Sequence, residues 1–235
     1  MYDESSFEVK EGSRSTALMS CLANVYWWMT FALMISALSA YLVGTSPELT
    51  KVFIQNRMLF FILLIAELGL VIWISAGINK MTASTATALF ILYAALNGLT
   101  LSFIFAVYSI QMIAMTFAVT AGTFAAMAVI GTITKKDLTS FGNLFFMALI
   151  GLIIASVVNL FWANSTLYWI CTYAGVLIFV GLTAYDANRI KQMYLTMGTD
   201  NPEAVRKVAV LGALALYLDF INLFLYLLRI FGRRD

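Results

Sequence analysis

Three acids stand in stretches that are otherwise apolar. Glu67 lies in LLIAELGLVIW, Asp186 in GLTAYDANRIK and Asp219 in GALALYLDFINLFLYLLRIFG, while the other nine of the twelve Asp and Glu fall in polar stretches. A carboxylate at the centre of a bilayer costs about 3 kcal/mol or more on insertion scales, so an acid held at such depth is kept for a partner or a task. Asp219 is the strongest candidate. Gly212, Ala215, Asn222 and Tyr226 recur around it at three-to-four spacing, which makes one small and polar stripe on an apolar helix. Asp186 is followed at i+3 by Arg189, so an ion pair near a helix end is its plain alternative. Glu67 has no opposite charge on its own segment. For each acid the bland reading is a protonated or hydrogen-bonded group tolerated between helices.

If Asp186 and Asp219 face each other, two carboxylates about 4 Å apart repel by roughly 4 kcal/mol at an effective dielectric of 20. Such a pair shares a proton, which makes either a pH-controlled latch or a cation site without histidine. Spacing alone does not bring them together. Asp186 lies about 19 residues into its segment and Asp219 about 11 into its own, which at 1.5 Å per residue implies depths several ångströms apart. Hard cations want oxygen ligands, and the two aspartates with Asn222 and backbone carbonyls would supply them.

The chain holds no histidine, which excludes His-based zinc sites and His-containing triads. A formal charge of +2 with no sizeable domain outside the apolar stretches argues against nucleic acid as a partner. Cys21 and Cys171 lie in or beside apolar segments and read as small hydrophobes, with no disulfide expected. No cofactor and no enzymatic activity are expected.

The elements that position these acids follow from composition. Of 235 residues 62% are hydrophobic and 11% charged, with mean hydropathy +0.91, where a soluble domain is about half apolar and a quarter charged. Seven segments reach the roughly 20 apolar residues needed to cross hydrocarbon, at about 22–44, 58–78, 84–107, 112–132, 142–163, 167–187 and 208–230. The fold class is an all-α membrane protein of seven transmembrane helices. Residues 1–21 read as a cytoplasmic tail, 22–231 as one seven-helix domain and 232–235 as a C-terminal tail. The N-terminal stretch is polar and acidic, unlike a basic leader.

With the N-terminus inside, Lys10, Arg14, Lys80, Lys135, Lys136, Arg189, Lys191, Arg206 and Lys207 are cytoplasmic. Lys51, Arg57, Arg229, Arg233 and Arg234 fall outside, and a six-span arrangement with a re-entrant last segment would balance better. Seven spans are preferred, because segment 208–230 is long enough to cross and turning backbone is costly in lipid. The stretch 188–207 is the one long polar connection. Small residues at Ala118, Gly122 and Ala126, and at Gly151 and Ala155, predict close helix approach. The triplet Asn164-Ser165-Thr166 matches a glycosylation acceptor but sits in a turn against the membrane.

LTAYDANRIK and LALYLDFINLFLYLLRIFG resemble the sixth- and seventh-helix motifs of the transmembrane Bax inhibitor motif family. GTITKKDLTSFG is similar to its fourth-to-fifth connection and NGLTLSF to a third-helix element, so the resemblance spans nearly the whole chain, in the size of bacterial inner-membrane members. It implies two three-helix layers around a central seventh helix. It also implies that Asp186 and Asp219 form a hydrogen-bonded pair controlling a pH-sensitive calcium leak, with Glu67 as the family's second-helix acid, lining the same pathway. Two departures stand out. Asn188 replaces a glutamine common among relatives, and the second helix ends in SAGINKM, where Lys80 is a poor substitute for a basic latch.

The leading expectation is a cation leak or slow transporter in the lipid bilayer, gated by the aspartate pair, with Arg189 beside it. A regulator that binds other membrane proteins, such as proteases or cell-death proteins, is the alternative. An intramembrane hydrolase using two aspartates is the least favoured, because the usual protease signatures are absent.

Overall fold

A computed structural model describes residues 4–49, 51, 56–197 and 201–232. Seven of its helices are long and apolar enough to cross a membrane. They are α1 (Glu4–Gly44), α2 (Arg57–Gly77), α3 (Ala83–Leu101), α4 (Ile110–Ile133), α5 (Gly142–Trp162), α6 (Ser165–Met197) and α7 (Pro202–Phe231). Each corresponds to one expected segment. Arg233 and Arg234, like the rest of the tail beyond Gly232, lie outside the described residues.

Polar residues begin the helices because their first N–H groups have no partner within the helix. Asn56 Oδ1 accepts from Leu59 N at 3.2 Å, Thr82 Oγ1 from Thr85 N at 3.2 Å and Ser109 Oγ from Met112 N at 3.3 Å. Asn164, the residue of the glycosylation-like triplet, does the same for Leu167 N at 2.9 Å. Asn201 takes both Glu203 N and Ala204 N, and Pro202 occupies the first helical position, where a missing N–H costs nothing.

Three expectations are corrected. The stretch 188–207 is mostly helix, because polarity ends an apolar run without ending a helix, and no glycine or proline intervenes before Gly198. α1 likewise starts at Glu4, inside the expected tail. The small-residue stripe of α4 faces outward: Ala118, Gly122 and Ala126 are exposed, and a Cβ at Gly122 or Gly151 would meet nothing. α4 instead buries Thr116, Thr120, Phe124, Ala128 and Gly131. The re-entrant alternative is ruled out, because Pro202–Phe231 is one uninterrupted helix of 30 residues.

The chain divides into two compact units. In the first, Met1–Phe103 with Ile190–Leu214, α1 packs on α3 and α3 on α2. Cys21, Val25, Met29, Ala32 and Ser36 make the buried face of α1, and Ser36 Oγ donates to the Ala94 carbonyl at 2.7 Å. Any side chain at Gly98 would strike the Ser36 backbone. In the second unit, Ile104–Arg189 with Ala215–Asp235, the core gathers Leu152, Cys171, Phe179, Leu223 and Leu227. Phe220 rests against Phe117 and Phe124, with ring centroids 5.2 and 5.5 Å away. Gly131 lets α4 approach the Ala184 carbonyl of α6, a space a Cβ would fill. Among the spans α7 is by far the most enclosed.

Candidate functional site

Asp186 and Asp219 come together on the wall of one cavity in the second unit, close enough to interact. The expected offset in depth shrinks because α6 runs on for about three turns beyond Asp186 and α7 starts well before residue 208. Asp219 is 4% exposed, and its Oδ2 has no hydrogen-bond partner among the described residues. Asp186 has a second partner: Arg189 Nη1 lies 3.9 Å from its Oδ1, with the guanidinium largely in the open. At that distance and exposure the ion pair is weak.

Both carboxyls line a cavity of about 790 Å³ formed by α5, α6 and α7. α7 contributes Ala215, Leu218, Asp219, Asn222, Tyr226 and Arg229, which fall on one helical face as the stripe predicted. Asn222 lines the cavity but turns its amide back to the Leu218 carbonyl at 2.8 Å. Arg229 stacks over the rings of Tyr226 and Tyr168, 5.1 and 5.8 Å from their centroids. Most of the remaining wall is aliphatic, from Leu149, Leu152, Ile153, Val157, Leu160 and Leu182.

Glu67 is not a wall of that cavity. It is 7% exposed in the first unit, where Asn97 Nδ2 donates to its Oε2 at 3.0 Å and Thr100 Oγ1 to its Oε1. Both oxygens of this acid are therefore satisfied by donors one turn apart on α3. Asn97 and Thr100 were not singled out from sequence, although an Asn and a Thr at i and i+3 in an apolar helix are the available signal.

Asn188, in sequence only a departure from the glutamine of similar chains, has a structural role. It is fully buried and saturated: Nδ2 donates to the carbonyls of Gly131 at 3.1 Å and Lys136 at 3.3 Å, and Oδ1 accepts from Leu138 N at 3.0 Å. This one amide ties the connection between α4 and α5 to α6, two residues from Asp186. In that connection, outside the spans, hydrogen bonds from the Thr139 hydroxyl and then its backbone N–H hold the Asp137 carboxyl below its usual range.

Among the described residues no three His, Cys, Asp or Glu side chains gather to hold a metal. Calcium takes about six to eight oxygens, so two carboxylates beside Asn222 are a partial coordination shell.

A family model described as "Inhibitor of apoptosis-promoting Bax1" matches residues 18–235. The chain belongs to the Bax inhibitor family. It is 51% identical to "Inner membrane protein YbhL" of Escherichia coli (strain K12) over 92% of this chain and 93% of that one. An uncharacterized protein of Borreliella burgdorferi is 46% identical over 91% of each chain. The protein RP147 of Rickettsia prowazekii is 39% identical over 91% and 89%. The name of the Escherichia coli relative describes an inner membrane protein, and neither it nor the family description names an enzymatic reaction. A Bax inhibitor family chain thus carries the aspartate pair, its cavity and the saturated Glu67 and Asn188 networks described above.

Proposed function

We propose that the protein is a slow cation leak pathway, for calcium, whose conduction follows the protonation of the Asp186–Asp219 pair. The observation that carries this reading is a buried carboxyl, Asp219, whose neighbour on the cavity wall is another carboxyl rather than a base. Two such groups stay in contact only while they hold a proton between them. Once that proton leaves, like charges about 4 Å apart repel by roughly 4 kcal/mol at an effective dielectric of 20. Asp186 then has the Arg189 guanidinium, 3.9 Å away, to turn toward. Asp219 Oδ2 has no hydrogen-bond partner among the described residues, and the carboxylate on the cavity wall is then the group that a passing cation would meet. The ion crosses with much of its water, because the shell offered here is partial. In this reading the N-terminus is cytoplasmic, which the larger share of basic residues on that side supports. No bond is made or broken, so the protein acts as a conduit and not as an enzyme.

The test is calcium flux into proteoliposomes across a pH series. The wild type should show a pH-dependent rate, and Asp186→Asn with Asp219→Asn should flatten the profile while leaving a folded protein. Equal pH dependence in the two would reject the latch. No flux in well-folded wild type would reject the pathway and favour a regulator that acts through other membrane proteins.

A further inference from the structure

The cavity beside Asp219 is built for a larger guest than a metal ion. Its volume, about 790 Å³, is within the roughly 300–1,000 Å³ of pockets that enclose small organic molecules. Such pockets have mostly apolar walls and a few fixed polar groups, which is the composition here. A metal cation gains little from leucine and isoleucine, and the three acidic or soft side chains it would want are not gathered among the described residues. An organic ammonium needs less: one carboxylate for its charge and apolar surface for its body.

Both requirements are met. Asp219 is 4% exposed and leaves Oδ2 without a hydrogen-bond partner among the described residues, which is costly for a buried acceptor unless something donates to it. An ammonium N–H is such a donor, and its charge makes the bond a strong one. Phe179 and Tyr226 both line the cavity, with rings stacked 5.9 Å apart at 26°, and offer aromatic surface to the rest of the guest. Arg229, the cation on the wall, lies about 15 Å along the helix from Asp219 and is turned against Tyr168 and Tyr226. Among the described lining residues Arg229 is the one cation, and the nearest ion pair at the acidic end is that of the exposed Arg189 with Asp186.

The geometry points to a binding site for lipophilic organic ammonium compounds, with the ammonium on Asp219 and the apolar body against α5, α6 and the Phe179–Tyr226 pair. The site shares Asp219 with the proposed leak but does not depend on calcium passage. A bound amine occupies the carboxylate that a passing cation would use, so such compounds block the leak where it exists.

The experiment is calorimetric titration of the full chain in lipid nanodiscs, without calcium, using 4-phenylbutylamine as the cation and 4-phenylbutanol as its neutral match. Heats from empty nanodiscs are subtracted. The expected result is saturable amine binding at least tenfold tighter than alcohol binding. Asp219→Asn should weaken the amine at least tenfold and leave the alcohol unchanged. Val157→Trp, which fills the cavity from an exposed wall position, should weaken both. Equal affinities for amine and alcohol, amine binding that survives Asp219→Asn, or indifference of both ligands to Val157→Trp would each overturn the proposal. If Asp219→Asn does not fold, the amine-to-alcohol ratio and Val157→Trp decide the matter. Saturable amine binding with no calcium flux would end the leak reading alone. pH-dependent calcium flux with no preference for the amine would end this one alone.

Discussion

Glu67 and Asp219 are both acids buried among apolar helices, one in each compact unit, and they are equipped in opposite ways. Glu67 receives a donor on each oxygen, from Asn97 and Thr100. Asp219 faces another carboxyl and leaves one oxygen without a donor among the described residues. The first arrangement stabilises a charge or a polar group where it stands, whereas the second stores a reason to change partner or proton. Burial alone therefore does not mark a working acid in a membrane. The set of donors around it does, and that set comes from other helices.

Substitutions that separate structural from working polar groups test this contrast. The largest expected effect is at a third buried group, Asn188, whose amide is saturated as Glu67 is. Asn188→Leu leaves two carbonyls and an N–H without their partner and should destabilise the protein by about 3 kcal/mol. A denaturation series in mild detergent, followed by circular dichroism, measures it, and a loss under about 1 kcal/mol would mean that the connection between α4 and α5 is held by something else. Glu67→Ala comes next. It strands the Asn97 amide and Thr100 hydroxyl and should cost about 2 kcal/mol in the same assay.

Asp219→Asn should run the other way, neutral or stabilising by up to about 1 kcal/mol, because it removes the carboxyl–carboxyl conflict while its amide can still donate to Asp186. If Asp219→Asn proved as damaging as Glu67→Ala, the contrast between the two acids would collapse. The smallest effect is at Asp137, which is fully exposed. Its carboxyl is held below the usual range by the Thr139 hydroxyl and N–H, so its contribution is present above the ordinary aspartate value and is lost as pH falls through the lowered one. Carboxyl-carbon NMR should show Asp137 titrating below exposed aspartates, and Thr139→Ala should return it toward them.

Much of this was legible in the chain. Seven apolar segments, each near the length that crosses hydrocarbon, define seven helices whatever their arrangement, because backbone in lipid must satisfy its own hydrogen bonds. The stripe of Ala215, Asp219, Asn222 and Tyr226 lies on one face of α7 because side-chain direction in a helix follows from spacing alone. The ends were less legible. Hydropathy marks where the apolar run stops, and α6 and α7 continue through charged residues that are good helix formers.

Which face of α4 turns inward was misread for a related reason. Small residues permit close packing on either face, and in lipid an exposed alanine or glycine costs as little as a buried one. Only the neighbouring helix decides, and here it meets Gly131 and leaves Gly122 outside.

The sequence by itself determined the membrane-spanning class, the number of helices and the three acids that had to be explained, since each follows from local chemistry and a period of 3.6. The pairing of Asp186 with Asp219 was implied by family resemblance and not by spacing, and tertiary structure alone decided that Glu67 is satisfied by α3 and that Asn188 binds a connection some 50 residues away in the chain. Those pairings depend on how far each helix extends and which faces pack together, and no local rule carries that information across the chain.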